Sequence, residues 1–238
     1  MRAATVIASY NTHGGIGFDR RYAPQRIAGV LTELRADIVA LQELASHDTG
    51  IDMLALLRAS TGYHAIAGPT LRRVDGHFGN GLLSRYPVVS VDHVALAVGR
   101  REPRAAIDVV LDCDGARLRV IATHLGLRRG ERRQQVARLL GMIRGSPVLP
   151  TVLLGDLNEW FLPGRALRCL HAHFGETPAL ATFPSVLPLL ALDRIWMSPA
   201  HRLCRVRTHR SRLARVASDH LPLLADINWE SDDADIAA

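Results

Sequence analysis

The stretch TVLLGDLN, residues 151–158, is an apolar run that stops at a glycine and two polar side chains. Its hydrophobic part, Val152–Leu154, has the near-continuous apolar character of a strand buried on both faces. Asp156 and Asn158 follow where that run ends. Gly, Asp and Asn are also common turn residues, so the stretch alone allows two interpretations, a turn and a metal or phosphate site.

Segments of this kind alternate with helix-like segments along the whole chain. Periodicity predicts helices over 24–34, 51–59, 131–143 and 164–173, and strands over 3–10, 37–43, 80–84, 88–96, 105–112, 118–125, 151–155, 193–198, 203–209 and 221–228. The tetrapeptide DCDG (112–115) predicts a hairpin turn, so the sheets should be mixed and not purely parallel. We therefore predict one α/β domain over 1–229 and a short acidic tail over 230–238.

Composition is that of a globular protein with a substantial core. The chain has 238 residues, of which 48% are hydrophobic and 22% are charged. No apolar run approaches the roughly 20 residues of a membrane span, and the first apolar stretch is too short for a secretory signal. We expect a cytoplasmic monomer with no obligate protein partner. The three scattered cysteines form no CxxC pair, so we expect reduced and mostly buried thiols.

Two segments indicate what the protein could bind. The net charge is +6, every basic residue is an arginine, and six arginines fall within 202–215. That cluster suits a nucleic-acid backbone or an anionic membrane surface, and a solvated strand and loop is the simpler alternative. The segment EWFLPG (159–164) is expected to pack under the next helix, and an exposed surface for a base or for lipid is the alternative.

Polar side chains stand at the ends of seven predicted strands. A single residue of this kind is explained by a turn or a cap, but seven together are hard to explain that way. Carboxylates suit Mg²⁺ or Mn²⁺, and a histidine paired with an aspartate suits proton transfer. The pattern therefore predicts phosphoester hydrolysis by a positioned water. The residues are Asn11, Glu43, Asn80, His124, Asp156, Asn158, Asp193, Asp219 and His220.

Seven motifs in order carry a resemblance to a known superfamily. They are YN (10–11), LQE (41–43), GNGLLSRYPV (79–88), THL (123–125), GDLN (155–158), LDRIW (192–196) and SDHLP (218–222). Together they resemble the endonuclease/exonuclease/phosphatase superfamily of metal-dependent hydrolases, over nearly the whole chain. The resemblance implies a four-layer α/β/β/α sandwich, two mixed sheets with helices outside, and an active site at the edge where strand ends converge.

The resemblance also implies the metal site and the catalytic pair. Glu43, Asp219 and Asn11 match positions at the metal site, which would hold one or two Mg²⁺ or Mn²⁺ ions; a turn role is the alternative for Asn11. His220 matches the catalytic histidine, and Asp193 matches the aspartate that orients it. Whether His220 acts as base, acid or electrostatic stabiliser stays open.

The remaining roles concern the water and the phosphate. Asp156 matches the residue that orients or deprotonates the attacking water, and Asn158 matches the one that binds a phosphate oxygen or a second metal. His124 would hydrogen-bond the phosphate, with Asn80 supporting the same group. Arg104 is assigned to substrate binding, and a surface position is its alternative.

The substrate is set by loops in this superfamily. LQELA (41–45) differs from the LQETK of abasic-site endonucleases, and LLALDRI (189–195) lacks the cysteine of the inositol polyphosphate 5-phosphatase signature. We favour a phosphodiesterase or nuclease. A phosphatase or phospholipase acting on a phosphorylated lipid or small molecule is the alternative, and a non-catalytic binding module on the same fold is the third hypothesis.

Overall fold

The computed structural model describes residues 4–47, 50–73, 76–146, 148–160 and 164–229. The predicted tail over 230–238 and residues 161–163 of EWFLPG lie outside these ranges. The helices are α1 (Pro24–Leu34), α2 (Met53–Thr61), α3 (Arg129–Arg144), α4 (Arg165–Phe174) and α5 (Arg212–Ala217). The strands are β1 (Ala4–Asn11), β2 (Ile38–His47), β3 (His64–Arg73), β4 (Gly76–Ser84), β5 (Val88–Ala95), β6 (Ala105–Cys113), β7 (Ala116–His124), β8 (Thr151–Asp156), β9 (Asp193–Ser198), β10 (Leu203–Thr208) and β11 (Leu223–Asn228).

The strands form two mixed sheets, as predicted. The first sheet has the order β10-β11-β1-β2-β4-β3, and the second has the order β5-β6-β7-β8-β9. Only the pairs β1–β2 and β7–β8 are parallel among these neighbours. The DCDG turn joins β6 to β7, and its Asp114 and Gly115 both have positive φ, the backbone that a two-residue hairpin turn requires.

The central strands carry apolar side chains on both faces because both faces of each sheet are covered. Ile7 of β1 lies in the core between the sheets, and its neighbour Ala8 packs in the core formed with α1, α2 and α5. Leu154 of β8 likewise lies between the sheets, and Leu153 packs against α3 and α4. The layers are therefore helix, sheet, sheet, helix, which confirms the predicted four-layer sandwich.

Local signals explain the helix boundaries. Pro24 occupies the first turn of α1, where its missing N–H is not needed, and the helix ends at Arg35 in a left-handed conformation. The carboxylate of Asp52 caps α2 by accepting a hydrogen bond of 3.1 Å from the Ala55 amide. None of the helices in the described ranges combines the length and the apolar character needed to cross a lipid bilayer.

Some details differ from the predictions. Strand β3 and the short helix α5 were not predicted, and Asn80 lies inside β4 where the sequence placed it at a strand start. Cys113 is buried but the other two thiols are exposed, so the expectation of mostly buried cysteines is wrong. A helix of six residues gives too short a periodic pattern to detect, and β3 carries the turn residues Gly68 and Pro69.

Candidate active site

Strand pairing brings the polar strand ends to one edge of the sandwich. In the second sheet His124 of β7 pairs with Asp156 of β8 in parallel register, and Asp156 pairs with Asp193 at the start of antiparallel β9. In the first sheet Asn11 of β1 pairs with Gln42 of β2, beside Glu43. Both sheets deliver their polar side chains to the same end of the sandwich, since Asn11 of the first sheet is hydrogen-bonded to Asp156 of the second.

A β-bulge points Glu43 into this edge. The register between β2 and β4 shifts between Leu41 and Leu44, and Glu43 has a φ of +55°. A positive φ is uncommon for a residue with a side chain, and bulges of this kind redirect a side chain out of the strand alternation. Asn80 of β4 faces the bulge from the partner strand, since Gly79 and Gly81 pair on either side of it.

Asn11 ties the two sheets together through their carboxylates. Its Nδ2 donates hydrogen bonds of 3.0 Å to Glu43 Oε1 and of 3.0 Å to Asp156 Oδ2. Its Oδ1 accepts a bond of 3.0 Å from the His13 amide. In this arrangement the amide nitrogen faces the carboxylates, so Asn11 holds Glu43 and Asp156 in position.

Asp156 lies at the centre of the cluster. Its Oδ1 accepts a bond of 2.8 Å from the Asn158 amide, and its Oδ2 lies 3.6 Å from His124 Nε2 and 3.7 Å from His220 Nε2. Asn158 adopts a left-handed φ of +52°, which turns its side chain back so that Nδ2 lies 3.0 Å from His124 Nε2 and donates to the Leu125 carbonyl at 2.9 Å. The sharp turn after β8 thus places both polar side chains in the site.

His220 is held by Asp193. Its Nδ1 lies 2.8 Å from Asp193 Oδ2, which also accepts a hydrogen bond of 2.5 Å from Thr182. Burial lowers the pKa of His220, but Asp193, Asp156 and Asp219 outweigh burial and raise that pKa to about 10. With Nδ1 bound to the carboxylate, Nε2 faces Asp156 and the site interior.

The pKa of His124 is shifted in the opposite direction to that of His220. Burial lowers its pKa to about 3, and the Arg104 guanidinium adds to that effect, so the ring is neutral. Arg104 can only donate, so the acceptor in their 3.0 Å contact is His124 Nδ1, and on the other side of the ring His124 Nε2 lies 3.0 Å from Asn158 Nδ2. Arg104 is buried, so the alternative of a surface position is wrong. Asn80 lines a small cleft together with Arg104 and His124.

The acidic residues fit a divalent cation by charge and by chemistry. Burial raises the pKa of Glu43, and the nearby carboxylates of Asp156 and Asp219 raise it further. Such crowding is relieved by a cation, and oxygen ligands suit Mg²⁺ or Mn²⁺. No three His, Cys, Asp or Glu side chains in the described ranges converge closely enough to form a chelating cluster. Mg²⁺ often uses one or two carboxylates and fills the remaining positions with water and substrate oxygens.

Three residues of the site were missed by the sequence analysis. Thr182 supports Asp193, Phe183 lies with its ring 4.9 Å from that of His220, and Ser218 donates to the Asn11 carbonyl at 2.8 Å. Ser218 begins the motif SDHLP, and Thr182 and Phe183 lie before the motif LDRIW in the chain, but nothing in the type of these residues signals the contacts. A larger groove of about 1150 Å³ opens between α2, β3 and β5, away from the strand ends. We place the site by its side-chain chemistry and not by cavity size.

The arginine-rich segment is divided by the fold. In β10, Arg207 pairs with Asp226 of β11, and the Leu203 end of the strand lies far from the site. Helix α5 brings only the end of the segment, Arg212 and Arg215, toward Asp219 and His220. Trp160, for which burial was expected, is 43% exposed, and its ring lies 5.7 Å from that of Phe183. The packing interpretation is therefore wrong for Trp160.

Comparisons with known proteins identify the family and the fold. The model of the "Endonuclease/Exonuclease/phosphatase family" matches residues 8–220. The protein "Uncharacterized protein YbhP" of Escherichia coli K12 is 29% identical over 242 residues, which cover 93% of this chain and 95% of that protein. A solved endonuclease/exonuclease/phosphatase from Beutenbergia cavernae has a TM-score of 0.78 at 23% identity, over 95% of this chain and 72% of its own. The human Nocturnin catalytic domain, solved with a bound sulfate anion, has a TM-score of 0.70 at 18% identity, over 94% and 92%.

The family match spans most of the chain and includes the predicted site residues from Asn11 to His220. Members of this family are hydrolases that act on phosphoesters, and they generally use divalent metal ions. The solved structures below 25% identity support the fold. The chain belongs to the endonuclease/exonuclease/phosphatase family.

Proposed function

We propose that this protein is a divalent-metal-dependent phosphodiester hydrolase in which water attacks phosphorus at the Asp156–His220 centre. The observation that carries the proposal is the position of Asp156. Its Oδ2 lies between the Nε2 atoms of His124 and His220, at 3.6 and 3.7 Å, in a buried edge built by both sheets. A carboxylate and two imidazoles at such distances can orient a water molecule and bind the phosphoryl group that this water attacks.

Asp156, the His220–Asp193 pair and His124 have different roles in the proposed reaction. Asp156 orients the water and accepts its proton as the new oxygen–phosphorus bond forms. The His220–Asp193 pair places a positive charge beside the phosphoryl group and can give a proton to the leaving alkoxide oxygen as its bond to phosphorus breaks. His124 is neutral and lies beside Asn158 and Asp156, where the His124 and Asn158 side chains would contact phosphoryl oxygens. One proton taken from water and one given to the alkoxide balance the reaction.

The cation would be held by Glu43 and Asp219, with Asn11 keeping Glu43 in place. When bound, it supplies electrostatic stabilisation to the negatively charged phosphoryl oxygens. The surplus of acidic groups supports this assignment, because burial, and after it the charges of Asp156 and Asp219, raise the pKa of Glu43. Removing the cation should therefore abolish turnover.

Charge favours a diester over a monoester. The site has four carboxylates, Glu43, Asp156, Asp193 and Asp219, against the positive charge of protonated His220, because Arg104 is paired with Glu102 at 3.4 Å. One divalent cation reduces this surplus of negative charge. A phosphodiester then adds one negative charge, and a phosphomonoester adds up to two, which is harder to place beside Asp156.

The hypothesis of a nuclease rests on the arginines, and only a few of these reach the site. Arg207 is paired, and the far end of β10 points away. The hypothesis of a non-catalytic binding module is disfavoured because the pair His220–Asp193 and the central Asp156 have the geometry that chemistry requires. The surface around the site therefore determines which alcohol group of the diester is recognised.

The proposal is tested with soluble aryl esters. The purified protein is assayed on bis(p-nitrophenyl) phosphate and on p-nitrophenyl phosphate, with Mg²⁺, with Mn²⁺ and with EDTA. We expect metal-dependent release of nitrophenol, faster from the diester than from the monoester. Equal rates in EDTA, or turnover of the monoester alone, would overturn the assignment to a metal-dependent phosphodiesterase.

A further inference from the structure

Two small hairpins flank the catalytic segment Asp219–His220. The first, residues 16–22, closes with a bridge between Ile16 and Tyr22. Its Ile16 carbonyl lies 3.1 Å from His13 Nδ1, and its Phe18 amide donates to the Val216 carbonyl at 3.2 Å. This hairpin is therefore attached both to the loop after β1 and to the last turn of α5.

The second hairpin, residues 183–190, is attached to the other side of the same segment. It closes with a bridge between Phe183 and Leu190. The Ser185 amide donates to the Asp219 carbonyl at 2.7 Å, and the Ser185 hydroxyl donates to the carbonyls of Arg215 and Ser218. Because both hairpins bond to α5 or to the residues just after it, they stand side by side at the mouth of the site.

Large apolar side chains are exposed on these hairpins and on the neighbouring loops. Phe18 is 49% exposed, Leu187 is 65% exposed and Leu189 is 71% exposed. Single exposed apolar residues are ordinary, but a group at one site marks an interaction surface. Of the twelve large hydrophobic side chains exposed in the described ranges, six follow strands that end at the site and three precede β9, which begins at the site. We call these nine the apolar rim: Ile16, Phe18, Tyr22, Leu127, Trp160, Val186, Leu187, Leu189 and Val216.

Positive charge accompanies the apolar rim. Arg20 and Arg21 are exposed on the first hairpin, and Arg212 and Arg215 are exposed on α5. The acidic residue of the first hairpin, Asp19, is paired with Arg26 of α1 at 2.9 Å. The second hairpin, FPSVLPLL, has no charged residue. Apolar tips with arginines beside them match the boundary between the headgroups and acyl chains of an anionic membrane.

We propose that the apolar rim docks this enzyme on an anionic phospholipid bilayer and that the diester it cleaves is a headgroup linkage of a lipid in that bilayer. The second half of this proposal rests on the proposed function. Nucleic acid would use aromatic side chains for stacking, but most of the rim is aliphatic, which neither bases nor phosphates recognise. A folded protein seated on the rim would cover the site, whereas a bilayer presents substrate to it.

Vesicle binding tests the surface independently of catalysis. The protein, kept in EDTA, is sedimented with vesicles of phosphatidylcholine alone and with vesicles that contain phosphatidylcholine and phosphatidylglycerol in equal amounts. We expect at least about tenfold tighter binding to the anionic vesicles, because several arginines each contribute near such a surface. The variant Leu187→Ser/Leu189→Ser should bind about ten- to a hundredfold more weakly, because both side chains leave the acyl boundary.

The matched control is Val89→Ser/Val148→Ser. Both valines are exposed and remote from the site, because Val89 lies at the start of β5 and Val148 lies just before the start of β8. This variant should bind within about twofold of wild type, as surface substitutions away from special features do. Thermal unfolding of both variants checks that they are folded.

Three results would overturn the docking proposal. The first is that the wild-type protein does not bind anionic vesicles. The second is that the leucine variant binds them as tightly as wild type. The third is that the leucine substitutions leave vesicle binding unchanged and instead disrupt self-association or a complex with duplex DNA. Hydrolysis of the soluble aryl diester separates this proposal from the proposed function. Turnover without vesicle binding rejects the rim alone, and vesicle binding without turnover rejects the hydrolase.

Discussion

Replacing Glu43 by glutamine should stabilise the metal-free protein while weakening its response to metal. One nitrogen, Asn11 Nδ2, lies 3.0 Å from Glu43 Oε1 and 3.0 Å from Asp156 Oδ2, so the two carboxylate oxygens are no more than about 6 Å apart. Glutamine keeps an oxygen that can accept from Asn11. The substitution therefore removes the repulsion and preserves the hydrogen bond.

The magnitude follows from this separation. Two like charges about 6 Å apart at an effective dielectric constant of about 20 repel by roughly 3 kcal/mol. Glu43 is partly exposed, so we expect a gain of about 1–3 kcal/mol in the free energy of unfolding. For a chain of this size that corresponds to a rise of roughly 2–10 °C in Tm.

The direction in which the stability difference changes with pH follows from the raised pKa of Glu43. That pKa is raised by burial and then by Asp156 and Asp219. A carboxyl that binds its proton more tightly in the folded state loses stability as pH rises from the unfolded pKa through the folded pKa. The advantage of Glu43→Gln should therefore be complete at neutral pH and should shrink as pH falls through that window.

The assay is thermal unfolding in EDTA and in Mg²⁺, with Glu33→Gln as the matched control. Glu33 accepts from His209 at 2.8 Å and has a lowered pKa despite some desolvation, so that variant should gain no stability. Mg²⁺ should raise the Tm of wild type and of Glu33→Gln, and should raise that of Glu43→Gln less. A lower Tm for Glu43→Gln in EDTA, or an unchanged Mg²⁺ response, would refute the reasoning.

Three further predictions concern the His220–Asp193 pair, Gly155 of strand β8 and the cysteine thiols. Asp193→Asn should lower turnover by about 10³–10⁴-fold, measured on the aryl diester, because His220 loses its orienting carboxylate; a loss below tenfold would contradict this role. Gly155→Ala should prevent folding, judged by thermal unfolding, because a Cβ there would lie 1.8 Å from a backbone oxygen of β7 and φ is +148°; a native-like transition would contradict it. Burial raises the pKa of Cys113 to about 12, so at pH 8 a thiol reagent should titrate the two exposed cysteines and reach the third only after denaturation.

The fold could be predicted from sequence where one signal was strong and local. Helix α1 was predicted with its observed bounds because Pro24 marks its start and four apolar residues form one stripe. The layers followed from the resemblance and from strands with apolar residues on both faces. Strand β3 was missed because Gly68 and Pro69 indicate a turn, and Pro69 is tolerated beside a register shift on the sheet edge.

The site could be predicted as a set of residues but not as a geometry. The bulge at Glu43 depends on pairing with β4, so the sequence indicated a strand end where the strand continues. The direction of the Asn11 amide is set by two carboxylates from different sheets. Burial of Arg104 beside His124 likewise depends on tertiary packing, and an arginine in a chain with 29 basic residues gives no local signal for it.

The most direct test of the central claim is Mg²⁺-dependent hydrolysis of bis(p-nitrophenyl) phosphate by wild type, His220→Ala and Asp156→Asn prepared in parallel. His93→Ala and Asp92→Asn, on the exposed strand β5, serve as matched controls for contamination and handling. The account predicts metal-dependent turnover in wild type and in both controls. It also predicts loss of turnover in both site variants, with unfolding transitions that show a folded protein. Retained activity in folded His220→Ala or Asp156→Asn would contradict the assignment of this site.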